Sequence, residues 1–251
     1  MDIDKIFIEE DLFPKNITTY EIRDYGLLFY NDVNKDSYDS NHAIIYKEKI
    51  DNIKNVLDDV VDFYKQKNIK PCIYQSINEE GYFDEIKNEL IDSGFDYWNE
   101  EQKYMLLAEK NIITPNPQIK VEKISKWDEQ FAVEIFEKAK EPWEVDVAKK
   151  ALLNDNTIFF VAYYNDCPVG MTYAHITNGV YRVDYLLVSK EYRNIGVGRT
   201  LIHSFVNYCH EREIETCYLW PDGKTAEKIY HEAGFKIIKI TKAGRAIYSK
   251  N

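Results

Sequence analysis

The stretch with the most chemical content runs Val183-Asp-Tyr-Leu-Leu-Val-Ser-Lys-Glu-Tyr-Arg-Asn-Ile-Gly-Val-Gly-Arg-Thr-Leu201. Its apolar run ends at Val188, a short polar loop follows, and Arg193-x-x-Gly196-x-Gly198 opens an amphipathic segment. Glycines at a strand-to-helix turn let an anion approach the backbone closely. The unbonded amides of a first helical turn, together with the helix dipole, favour phosphate at such a place. Lys190, Arg193 and Arg199 add positive charge. Spacing alone leaves two readings open: a phosphate cradle, or a tight turn in front of a packing helix. It does exclude two common phosphate motifs. There is no Gly-Lys-Thr or Gly-Lys-Ser for a P-loop, and the third glycine of a dinucleotide fold is missing. His42, His175, His203, His210 and His231 show no His-Glu-x-x-His pairing, so no metal site is expected.

The elements around this stretch follow from periodicity. Ile119–Ile124 alternates apolar and polar and reads as a strand. Two helical stretches follow, Ser125–Lys140 and Glu144–Leu153, and then strands over Thr157–Tyr164, Val169–Ile176 and Val180–Val188. A helix over Gly198–Arg212, a strand over Thr216–Trp220, a helix over Thr225–Ala233 and strands over Phe235–Ile240 and Arg245–Ser249 complete the chain. This order predicts an α/β fold, a mixed sheet flanked by helices. Val180–Val188 and Thr216–Trp220 form a parallel pair joined by the crossover helix.

The first half repeats part of the order. Strand-like Ala43–Tyr46, helical Asp51–Lys65, strand-like Cys72–Gln75, helical Tyr82–Ile91, then Ser93-Gly-Phe95 and a strand over Lys103–Leu107 echo the later series. The segment Asn111-Ile-Ile-Thr-Pro-Asn-Pro117 reads as a linker, because each proline restricts itself and its predecessor. The expected organisation is therefore two copies of one fold: residues 1–110, a linker at 111–118, and residues 119–251.

With a second pattern downstream, Ala226-x-x-x-Tyr230-x-x-x-Gly234-Phe235, the chain resembles the GNAT superfamily of acyl-CoA-dependent N-acyltransferases. That family's signature is Arg or Gln, two residues, Gly, one residue, then Gly or Ala, five positions after a strand-ending apolar residue. Arg193, Gly196 and Gly198 after Val188 fit it. The first half has no such motif, so the resemblance there implies a degenerate copy without its own cofactor site. For the second half it implies acetyl-CoA or another acyl-CoA as co-substrate, and no metal. The pyrophosphate would lie on the amides of Asn194, Ile195, Gly196, Val197, Gly198, Arg199 and Thr200, with Arg193 a further cofactor-binding residue. The pantetheine arm would lie along the strand edge Leu186, Leu187 and Val188, as an added strand does. The Val188 amide would face the developing oxyanion. Tyr230 matches the tyrosine that protonates the departing thiolate, a role that contributes about 10²–10⁴-fold.

Two positions depart from the family pattern. Arg182 stands where many relatives carry a glutamate base, and Gly223 where many carry an asparagine. Asp184, on the same face as Arg182 by alternation, is a candidate base or a partner for Arg182. Glu141 and Glu144, between the first two helices, are further acidic candidates.

Composition narrows the partners. The chain has 251 residues and a net charge of −11. Residues 1–118 hold 13 basic and 25 acidic side chains, a net of −12, against 19 and 18 over residues 119–251, a net of +1. An acidic chain is a poor binder of nucleic acid or anionic membrane. The acceptor is therefore expected to be an amine of a small molecule or a protein, and a cationic one is compatible with the acidic half. Cys72, Cys167, Cys209 and Cys217 form no Cys-x-x-Cys pair, and the N-terminus lacks a signal-peptide core. Both features point to a reducing, cytoplasmic setting. The competing class is a non-catalytic acyl-CoA-binding module, which the Arg182 and Gly223 departures permit.

Overall fold

The computed structural model describes residues 3–109 and 115–250. The chain divides into two units, Asp2–Gln102 with Ile240–Asn251, and Lys103–Lys239.

The first unit opens with helix α1 (Ile3–Leu12) and an antiparallel pair, β1 (Thr19–Arg23) and β2 (Gly26–Tyr30). Strand β3 (Ala43–Ile45) pairs antiparallel with β2 and parallel with β4 (Cys72–Gln75). The crossover between the parallel strands is α2 (Ile53–Gln66), which starts at Asn52, whose side chain accepts the Asn55 amide at 3.2 Å. The helix turns Val56, Leu57, Val60, Phe63 and Tyr64 inward. That is one stripe at 3.6-residue spacing, packed on Ala43, Ile45 and Ile73. The helix expected over Tyr82–Ile91 is two short ones, α3 (Tyr82–Glu85) and α4 (Lys87–Ser93), interrupted at Ile86. Strand β5 (Phe95–Leu107) follows.

In the second unit, β6 (Ile119–Ile124) precedes a π-helical segment at Ala132–Glu137, a turn at Pro142–Glu144 and α5 (Val145–Leu153). Strands β7 (Thr157–Tyr164), β8 (Cys167–Thr177) and β9 (Val180–Val188) extend β6 into an antiparallel meander. Helix α6 (Val197–Glu211) then crosses to β10 (Thr216–Leu219), which lies parallel to β9 as expected. Val197, Leu201, Phe205 and Cys209 recur every four residues and fill the core under α6 with Ile158, Phe160, Ala174 and Val183. Helix α7 (Gly223–Glu232) and strand β11 (Phe235–Tyr248) close the chain.

Two expectations need correction. The terminal strands expected at Phe235–Ile240 and Arg245–Ser249 are one continuous β11. Gly244 does not turn the chain there; a Cβ on it would stand 2.9 Å from Phe83 and 3.1 Å from Gln75, so it permits close packing. The units also divide at 102/103 and 239/240 rather than at the proline-containing segment, part of which lies outside the described residues. Strand pairing is the reason. Met105 and Leu106 of β5 pair antiparallel with Leu219 and Tyr218 of β10. Arg245, Ala246 and Ile247 of β11 pair with Tyr74, Ile73 and Cys72 of β4. The strand beside each parallel pair thus comes from the other half of the sequence.

Candidate active site

The site begins where β9 leaves its neighbour. The parallel pairs with β10 end at Arg182↔Tyr218, while pairing with β8 continues to Gly170↔Val188. Residues 185–188 consequently keep one edge outside the ladder among the described residues. Backbone directions say which groups face that edge. The Ser189 amide donates to Val169 on β8 at 3.0 Å, and the Tyr185 carbonyl accepts from Thr172 Oγ1 on β8 at 2.7 Å. Amides alternate along a strand, so Leu187 also faces β8, whereas Leu186 and Val188 present their N–H groups to the open side. Of the three predicted strand residues, Leu187 is the one turned away.

A β-bulge falls between the two stretches. Val183 pairs with Ala174 and Tyr185 with Tyr173, leaving Asp184 as the extra residue. Val183 and Leu186 pack with α6. Tyr185, which alternation alone would send to that side as well, instead stacks on Tyr173 at 5.5 Å and Phe136 at 6.4 Å. Its hydroxyl donates to Glu141 Oε2. Burial, then the Glu141 bond, pushes the Tyr185 hydroxyl far above its ordinary range.

Beyond Val188 the chain turns through Arg193, Asn194 at φ 66° and Gly196 at φ 94° into α6. Only glycine adopts the Gly196 conformation without strain. No side chain caps this helix start. Thr200 is the first residue whose amide bonds within the helix, donating to Gly196 O at 2.9 Å. The Thr200 amide is therefore committed, and the expected run of anion-facing amides ends at Arg199. Two charges are also placed differently from expectation. Arg193 Nε donates to the Val188 carbonyl at 3.1 Å, and Arg199 Nε to Glu232 Oε2 at 2.5 Å, an ion pair that ties α6 to α7. Gly198 stands over the strand end; a Cβ on it would lie 3.8 Å from both Leu186 and Val188.

Asp184 has partners on the same face. Arg182, 4% exposed, donates to its Oδ1, and His175 Nε2 lies 3.3 Å from its Oδ2. Burial alone would raise this carboxyl, but the Arg182 charge and His175 outweigh it and hold Asp184 well below the usual carboxylate range. The group is thus a fixed anion and a weak proton acceptor. Of the two readings of Asp184, the geometry supports the partner to Arg182. Tyr230, on α7, is 6% exposed and packs against Phe235 with ring centroids 6.0 Å apart. Burial first, then the Asp184 and Asp222 charges, raises its hydroxyl far above the ordinary range, so it carries its proton at neutral pH. Among the described residues no group of three or more His, Cys, Asp or Glu could hold a metal ion. No described helix is long and apolar enough to cross a membrane.

Residues 121–235 match the family model described as the Acetyltransferase (GNAT) family. No curated protein matches the chain. Among solved structures, a GCN5-related N-acetyltransferase from Kribbella flavida superposes with a TM-score of 0.68 at 13% identity, covering 98% of this chain and 95% of that one. A functionally unknown conserved protein from Staphylococcus epidermidis gives 0.59 at 16%, covering 96% and 97%. A tandem GNAT protein from the clavulanic acid biosynthesis pathway gives 0.57 at 10%, covering 83% and 74%. At these identities the likeness is one of fold, and it extends over the first half.

Proposed function

We propose, from the match of residues 121–235 to the Acetyltransferase (GNAT) family model, that the protein transfers an acyl group from acyl-CoA, acetyl-CoA first among them, to an amine within a ternary complex. The observation that carries this reading is the open edge of Leu186–Val188 running into the uncapped start of α6. A strand edge can pair with the two amides of a pantetheine arm. The free amides at Val197–Arg199 suit a diphosphate. Acyl-CoA supplies the activated thioester; the chain supplies orientation and proton management. The Val188 N–H stabilises the oxygen that gains charge when the amine attacks. As the C–N bond forms and the C–S bond breaks, the Tyr230 hydroxyl gives its proton to the leaving sulfur. The ammonium proton leaves through water or through Glu141, beside the Tyr185 hydroxyl, since Asp184 is held by Arg182. The acidic excess of residues 1–118 favours a cationic acceptor.

The test is calorimetric titration with coenzyme A and acetyl-CoA, followed by thiol release from acetyl-CoA across a panel of amines. Micromolar binding with acceptor-dependent thiol release is the expected result. Absence of binding overturns the reading. The Arg182–Asp184 pair favours one competing reading, a binding module without turnover, and tight binding with no thiol release on any amine would establish it.

A further inference from the structure

The end of the loop that enters α6 is held from outside by Asn116. It lies between Pro115 and Pro117, and the proline that follows disfavours a helical backbone at Asn116. All four of its polar groups are committed. The side-chain carbonyl accepts the Gln118 amide at 3.0 Å and the main-chain carbonyl accepts the Ile119 amide at 3.0 Å, which makes a turn leading into β6. The other two reach the loop. Asn116 Nδ2 donates to the Ile195 carbonyl at 2.8 Å, and the Asn116 amide donates to Thr200 Oγ1 at 3.1 Å. Thr200 Oγ1 in turn donates to the Gly196 carbonyl at 2.9 Å. Asn116 also comes close enough that a Cβ on Gly196 would stand 3.7 Å from its own Cβ.

A peptide unit is planar and trans, so its N–H points opposite to its C=O. Fixing the Ile195 carbonyl fixes the Gly196 N–H, and fixing the Gly196 carbonyl fixes the Val197 N–H. We propose that Asn116 is the positioning residue of the anion-binding turn: it aims the Gly196 amide through the Ile195 carbonyl, and its bond to Thr200 Oγ1 braces the helix start whose Thr200 amide already holds the Gly196 carbonyl. The role rests on the acyl-CoA reading for its ligand, but not for its geometry. Pre-aimed amides bind an anion without the cost of ordering the loop.

Two measurements separate these layers. The first needs no ligand: hydrogen exchange of the full-length free protein. In Asn116→Ala, the Thr200 amide, which closes this loop on the Gly196 carbonyl at 2.9 Å, should exchange on the order of tenfold faster, with exchange in β7 and β8 unchanged. The second is the affinity for coenzyme A by calorimetry, expected to fall about tenfold or more in Asn116→Ala, the equivalent of losing one hydrogen bond to an ordered group. Affinity should fall similarly in Thr200→Val and be retained in Thr200→Ser, which keeps the hydroxyl. If Asn116→Ala lowers the unfolding temperature throughout the molecule, the Thr200→Val and Thr200→Ser pair decides. Unchanged loop exchange, or coenzyme A affinity within twofold of wild type in both Asn116→Ala and Thr200→Val, overturns the proposal. A wild-type protein that binds no coenzyme A overturns the acyl-CoA reading instead, and the exchange result still decides the role of Asn116.

Discussion

Tyr230 and Asp184 looked alike as candidate proton-handling residues in the sequence, and the structure separates them by environment. Tyr230 is buried near two carboxylates and keeps its proton, so a proton is present there to give. Tyr230→Phe should lower kcat by about 10²-fold or more while leaving coenzyme A affinity within twofold. A variant with full turnover on a known acceptor sinks the general-acid role. Asp184 is held ionised by Arg182, so its importance is to stability. Removing Arg182 takes the cation away from a buried carboxylate and leaves it His175. Arg182→Gln should therefore cost on the order of 3 kcal/mol in urea unfolding, and a second change, Asp184→Asn, should recover much of it. The pH dependence has a definite sign. The folded carboxyl lies below its unfolded value of 3.8, so the stabilisation is fully present above about pH 4 and fades as pH falls. Arg182→Gln should flatten that acid limb. The pairing was a stated possibility in the sequence because two residues on one strand two apart share a face. Its strength was not legible, because it depends on burial and on His175 arriving from β8.

The β9–loop–α6 element was legible almost to the residue, since a run of apolar residues, a polar turn and two glycines each carry a local conformational preference. The bulge at Asp184 was not, because it arises from the register with β8 and leaves no mark on the strand's own composition. It lies just past the last pair with β10, and it returns Tyr185 to the face that carries Phe136 and Glu141. Gly198 gives a test of the element. A methyl there meets Ile229, Leu186 and Val188 at 3.6–3.8 Å, ordinary contact distance. Gly198→Ala should fold as well as wild type and retain coenzyme A binding, with helix propensity slightly in its favour. Gly198→Glu places a carboxylate at the mouth of the amide cradle and should reduce affinity on the order of 100-fold, with the unfolding temperature little changed. Equal affinity in both variants would remove the α6 N-terminus from the ligand site.

Across the molecule, the repeat of strand, crossover helix and parallel strand was visible in the sequence and is present in both units. The exchange of the flanking strands was not visible. Nothing local distinguishes a strand that pairs within its own half from one that pairs outside it; Met105 and Ala246 are simply apolar residues at alternating positions. Met105 is fully buried in the core built around α6, and Ala246 in the core built around α2. A cut at the proline-containing segment therefore divides the sequence between the repeats and yet removes a core strand from each. The fragment 119–251 keeps Arg193, Gly196, Gly198 and Tyr230, but leaves Tyr218 and Leu219 without their partners on β5 and the end of β11 without β4. An unpaired apolar strand edge recruits other chains. Expressed alone, this fragment should aggregate or melt without a cooperative transition. Expressed together with residues 1–118, it should co-purify as a complex and regain coenzyme A binding. A lone 119–251 fragment that melts cooperatively at the temperature of the full chain would show that the exchanged strands contribute little, and that the unit built around α6 stands without the acidic half of the sequence.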